Sequence, residues 1–151
     1  MSTPYPMPEY REATAVEKAF NRVFGFLVGW GLGLPHNYLL QVRGRRSGRV
    51  YSTPVNLLEL NGKRYLVAPR GRTHWVRNAE ATGEITLKRG LRRHKFRLRS
   101  IPDTEKGPIL QAYLERFTPT VQRYFPVPAK SDVAMFREIA PNYPVFALER
   151  A

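Results

Sequence analysis

No cysteine occurs among the 151 residues. Disulfide scaffolds, cysteine-ligated zinc, iron–sulfur clusters and cysteine nucleophiles are excluded together. Histidine is scarce: His36, His74 and His94 never stand three or four positions from one another or from a carboxylate. A helical metal site and a histidine-based triad therefore lack their parts. Long apolar runs are missing as well. The most apolar stretch, Val23 to Leu34, is a dozen residues, short of the roughly 20 that a membrane-spanning helix requires. There is no G-x-S-x-G, no P-loop lysine, no repeat and no low-complexity segment, and carboxylates are sparse in the middle of the chain.

What is present is a basic globular composition. Hydrophobic residues make up 42% and aromatic ones 12%, enough to bury a core. Lys and Arg total 25 against 12 Asp and Glu, a formal charge of +13. The excess is local: from Arg43 to Arg99 there are 16 basic and 3 acidic residues, and the remainder is neutral. Nineteen of the 25 cations are Arg, whose planar fork suits phosphate and carboxylate. An anionic partner follows: nucleic acid, a membrane surface or a polyanionic small molecule. Glu9, Glu12 and Glu17 are wrong for a secretory leader, so a cytoplasmic location is expected.

Residues 1–12, with Pro4, Pro6 and Pro8, read as a lead-in to one domain over 13–151. From Thr14 an amphipathic helix carries Phe20, Val23, Phe24, Leu27 and Val28 on one face, which suits either the core or a membrane interface. Strands are expected at Tyr38 to Arg43, at Val50 to Leu60 with an interruption at Pro54, and at Arg64 to Ala68 after the hairpin signal Asn61-Gly62. Thr73 is placed to cap a short helix from His74 to about Thr82, with Gly83 to stop it. Glu84 to Arg89 and Arg93 to Ile101 form the next hairpin. Helices begin at Asp103 or Thr104 and behind a Ser131 cap, and Tyr143 to Leu148 closes the sheet. Six short antiparallel strands with helices inserted and appended point to a small β-barrel, mainly β with appended helices in an α+β arrangement.

Two loops could carry a site. In Gly44-Arg45-Arg46-Ser47-Gly48-Arg49, glycines admit a close ligand while arginine and serine donate to an anion. In Pro69-Arg70-Gly71-Arg72-Thr73-His74-Trp75-Val76-Arg77-Asn78, a loop opens a helix whose free N–H groups favour negative charge, and Trp75 supplies a flat wall or a core anchor. A site of donors and aromatic surface binds, and any hard chemistry would come from a cofactor.

These residues, with Ser52-Thr53-Pro54 and Val67-Ala68-Pro69-Arg70-Gly71, resemble the deazaflavin-dependent nitroreductase family over roughly Tyr38 to Ile101. The resemblance implies an antiparallel split β-barrel of the flavin-binding, pyridoxamine-phosphate-oxidase-like superfamily and a hydride-transferring oxidoreductase using coenzyme F420. It assigns phosphate and tail binding to Arg45, Arg46, Ser47, Gly48, Arg49, Arg70 and Gly71. Ser52, Thr53 and Pro54 would lie beside the deazaflavin ring, and Ala68, Trp75 and Asn78 would belong to its pocket. Val50-Tyr51 departs from the Pro-Arg often found there, removing one expected cation. Tyr51, Tyr124 and Tyr143 are candidate proton donors or substrate contacts. The acceptor would be small and apolar: a quinone, a nitro compound or an activated enone. A homodimer is a further implication, and the apolar face of the N-terminal helix leaves peripheral membrane contact open beside a core role. Nucleic acid bound on the Arg-rich surface, or the same barrel holding FMN, haem or a lipid, are the competing readings.

Overall fold

A computed structural model describes residues 36–151; the lead-in and the helix expected from Thr14 lie outside the described residues. Seven antiparallel strands form one sheet: β1 (Asn37–Arg43), β2 (Val50–Asn56), β3 (Leu58–Leu60), β4 (Lys63–Val67), β5 (Glu84–Arg89), β6 (Arg92–Ser100) and β7 (Val145–Arg150). Their order across the sheet is β2-β1-β5-β6-β7-β4-β3. Only Leu57 separates β2 from β3, yet they occupy opposite edges, because the sheet curls into an antiparallel split barrel.

The strand expected at Val50 to Leu60 is therefore two strands, and its break falls at Leu57, not at Pro54. Pro54 sits inside β2 opposite Leu39, which is tolerated because β2 is an edge and one side of its backbone needs no ladder donor. Leu57 instead donates its N–H to the carbonyl of His36 (2.8 Å). Asn61-Gly62 makes the expected turn, with φ of 53° and 76°.

Alternation on the strands divides the sheet into two faces. The inner face carries Leu40, Val42, Leu66, Ile85, Leu87 and Phe96, which pack together. On the outer face, Leu58, Tyr65, Val67, Val145 and Ala147 pack beneath a helical layer. This layer consists of α2 (Lys106–Arg116), α3 (Thr118–Val121) and α4 (Val133–Ile139), linked by 3₁₀ turns. Its Leu110, Leu114, Phe136 and Ile139 are wholly buried. Lys106 is also buried there, but paired: Nζ donates to Asp103 Oδ1 (2.7 Å) and to the carbonyl of Ala140 (3.2 Å). The cap of α4 is Asp132, one residue after the expected Ser131, whose hydroxyl turns back to the carbonyl of Pro128.

The helix α1 (His74–Thr82) bridges β4 and β5 and ends at Gly83 with φ 74°, as expected. Its Val76 and Ala79 are buried, and Ala79 joins the inner-face core. The helix thereby fixes its N-terminus beside the β1–β2 turn.

Candidate functional site

The β1–β2 turn is built to hold one shape. Gly44 donates to Arg49 O (2.6 Å) and Gly48, at φ 72°, donates back to Gly44 O (3.1 Å). A Cβ on Gly44 would stand 2.7 Å from Tyr51 Cε2 and 2.9 Å from Ser47 Oγ, so only glycine lets Tyr51 close over the turn. Ser47 Oγ accepts from Arg49 N (3.2 Å) and lies 3.2 Å from the Tyr51 hydroxyl. From α1, the buried Asn78 reaches across: its Oδ1 accepts from Arg45 N (3.0 Å) and from Arg45 Nη1 (2.8 Å). One side-chain oxygen thus holds both the backbone and the guanidinium of Arg45.

Between this turn and the start of α1 lies a cleft of about 570 Å³. Its lining unites Arg45, Arg46, Ser47, Tyr51, Ser52, Thr53, Arg70, Trp75 and Asn78 from the sequence-based assignment. Three of these are arginines, and the lining contains no carboxylate. Trp75 is both wall and anchor, since its ring lies 6.1 Å from that of Phe146 in the core.

The other assigned residues lie elsewhere. Gly48 and Arg49 belong to the turn but not to the lining, and Pro54 is paired within β2. Ala68 is buried with its N–H on the carbonyl of Pro144, and Gly71, at φ 81°, tightens the loop that carries Arg70. Tyr124 and Tyr143 are outside the cleft, in the helical layer. The Tyr143 hydroxyl donates to the carbonyl of Tyr124 (2.6 Å) and its ring stacks on Phe125 at 4.5 Å. Burial holds its phenol well above the usual value of 10.0, so it keeps its proton for structural work. Tyr124 is engaged by Arg123, whose Nη2 donates to its hydroxyl (2.6 Å). Of the three tyrosines Tyr51 alone lines the cleft.

Four lining residues carry no assigned role in the sequence-based reading: Val42, Gly44, His74 and Thr73, the last expected only as a helix cap. Thr73 has extended backbone at the N-cap position, but its hydroxyl caps nothing. Its Oγ1 is buried without a hydrogen-bond partner, beside the first turn of α1. A buried hydroxyl of this kind costs stability unless something supplies its bond. With three arginines, no carboxylate and the N-terminal end of α1, the cleft has the donor set for a ligand bearing phosphate or carboxylate. Among the described residues no cluster of three or more histidine and acidic side chains is placed to hold a metal ion.

The family described as F420H(2)-dependent quinone reductase matches residues 9–126, well over half of the sequence. The chain belongs to that family. It is accordingly an oxidoreductase of the deazaflavin-dependent type, and its cofactor is coenzyme F420. No curated protein matches the sequence. Solved structures share the fold. An F420-H2 dependent reductase, FDR-A, aligns with a TM-score of 0.50 at 20% identity, over 76% of this chain and 95% of that one. A structure described as a domain-swapped dimer aligns at 0.54 and 19%, over 89% and 96%. A candidate pyridoxamine 5′-phosphate oxidase from Listeria innocua aligns at 0.50 and 6%, over 76% and 83%. Among the described residues no helix is long and apolar enough to cross a membrane.

Proposed function

We propose that the cleft between the β1–β2 turn and α1 binds reduced F420 and presents it to a small apolar acceptor, a quinone in the first instance, with nitro compounds and activated enones as further substrates. The observation that carries this reading is the cleft lining itself: three arginines without a carboxylate, around a buried Thr73 hydroxyl that lacks a partner. When bound, the reduced deazaflavin supplies the hydride.

The protein's part is binding and orientation. Arg46 and Arg70 hold the anionic groups, and Arg45, fixed by Asn78, presents its guanidinium from a set position. The Thr73 hydroxyl and the first-turn N–H groups of α1 complete the anion seat. Ser52 and Thr53 flank the ring, and Trp75 forms its apolar wall. Fixing two reactants at contact distance is worth several orders of magnitude in rate without any acid or base. A reduced product also needs a proton, and Tyr51 holds one at the cleft, with its hydroxyl 3.2 Å from Ser47 Oγ.

Fluorescence titration with F420 and with FMN, followed by turnover of F420H2 with a soluble quinone, tests this reading. We expect one-to-one, F420-selective binding, weakened by Arg46→Ala, and a Tyr51→Phe variant that binds F420 normally but turns over more slowly. Equal binding of FMN, or full turnover in Tyr51→Phe, would remove the corresponding part.

A further inference from the structure

The outer face of β5 and β6 bears a second concentration of charge, on the opposite side of the sheet from the inner core. Side chains directly opposite each other share a face: Glu84 with Arg97, Thr86 with Lys95, and Lys88 with Arg93. At the Glu84 end the charges are mixed, and Lys95 Nζ lies 3.9 Å from Glu84 Oε2. At the other end they are not. Lys88 faces Arg93 on this face, and the next pair, Arg89 with Arg92, stands on the opposite face, so the hairpin end carries like charges on both sides. Such pairs oppose hairpin formation, and among the described residues no ion pair engages Lys88, Arg92 or Arg93. Arg89 turns away, with its Nη1 on the carbonyl of Asn37 (2.9 Å) and its guanidinium 6.0 Å over Tyr38.

At the apex between them, after Gly90 at φ 61°, stands Leu91, which is 101% exposed. The hairpin end thus combines an unshielded aliphatic side chain with a collar of cations and no acid. The strands beside it add Leu39, Gln41, Arg43, Val50, Ser52 and Pro54 to the same face. None of these is aromatic, and Tyr38 on the opposite face already has the Arg89 guanidinium over its ring, so bases of a nucleic acid find no open stacking platform on this face.

We propose that the β5–β6 hairpin end docks on an anionic phospholipid surface. Leu91 enters the boundary between headgroups and acyl chains, while Lys88, Arg92 and Arg93 lie among the headgroup phosphates, which relieve their mutual repulsion. The chain enters the barrel at the same end, through His36 and Asn37, and the apolar Val23 to Leu34 sequence immediately precedes it.

Cosedimentation of the full chain with vesicles of phosphatidylcholine, with or without added phosphatidylglycerol, at low and high salt, tests the proposal. Binding is expected only to the anionic vesicles and is released by salt. Changing Lys88, Arg92 or Arg93 to Gln should weaken it roughly fivefold per charge, and Leu91→Ser roughly tenfold. F420 affinity should stay unchanged in all four variants, since none of these residues lines the cleft. Hairpin variants that keep F420 affinity yet sediment like the parent would overturn the proposal, as would equal binding to neutral vesicles. Charge-dependent capture of a short DNA duplex without vesicle binding would assign the same cations to nucleic acid and overturn it too.

Discussion

On one half of the outer sheet face, Tyr65, Val67, Val145 and Ala147 lie under a helical layer; on the other, Lys88, Arg93, Lys95 and Arg97 face solvent. The covered half is packed on both sides, while the bare half has only its inner side for a core. The cleft belongs to the bare half. Its rigidity therefore comes less from area buried than from a few directed hydrogen bonds, such as those joining Asn78, Arg45, Ser47 and Tyr51. Stability is concentrated in one half and recognition in the other.

The largest effect is expected from Phe136→Ala. The side chain is wholly buried in the covered half, and its truncation should cost about 3–5 kcal/mol, read by denaturant unfolding. The protein that remains folded should keep its F420 affinity. An equal loss of affinity would mean that the two halves are not separable. Next in size is Asn78→Ala, which strips the acceptor from two donors of Arg45. F420 affinity should fall by about 1–3 kcal/mol, and the double change with Arg45→Ala should lose little more than Arg45→Ala alone. Additive losses in that cycle would make Asn78 a direct contact instead of a clamp.

The sequence disclosed some of this division and hid the rest for physical reasons. Local signals were reliable: Asn61-Gly62 turned as expected, and Gly83 stopped α1. The basic turn and the Arg70–Asn78 segment also met in one cleft. What could not be read was each residue's partner. Asn78 does line the cleft, but that its oxygen is used to hold Arg45 shows only in the fold. Thr73 looked like a cap, yet its hydroxyl is left open. Tyr143 looked available as an acid, but it lies in the helical layer because the turn before β7 folds it against Phe125. Pro54 suggested a break, which β2's edge position made unnecessary.

A smaller effect is expected from Tyr143→Phe, which removes the bond to the carbonyl of Tyr124. Unfolding free energy should drop by about 0.5–1.5 kcal/mol with turnover unchanged. This phenol, like that of Tyr113, is raised in the folded state. The unfolded chain therefore loses its protons first as pH rises past about 10, and stability present below that pH is lost above it. The variant should flatten that alkaline decline, and a slope unaltered by Tyr143→Phe would exclude Tyr143 as its source. Smallest is Lys88→Glu, which places opposite charges across the hairpin at Arg93. It should raise stability by about 0.2–1 kcal/mol, measured by thermal unfolding, while reducing attachment to anionic vesicles. A stability loss would show that the bare half is not strained by its own charge.

The strand order has one more consequence, for the route to the folded state. Without β7 the sheet would be two pieces: β2-β1-β5-β6 on one side and β4-β3 on the other. The hairpins within each piece include near neighbours in sequence, but β7 must pair with β6 and, across about eighty residues, with β4. Closing that long loop is a slow, high-contact-order event. The arrival of Val145–Arg150 is then the step that converts two ribbons into a barrel.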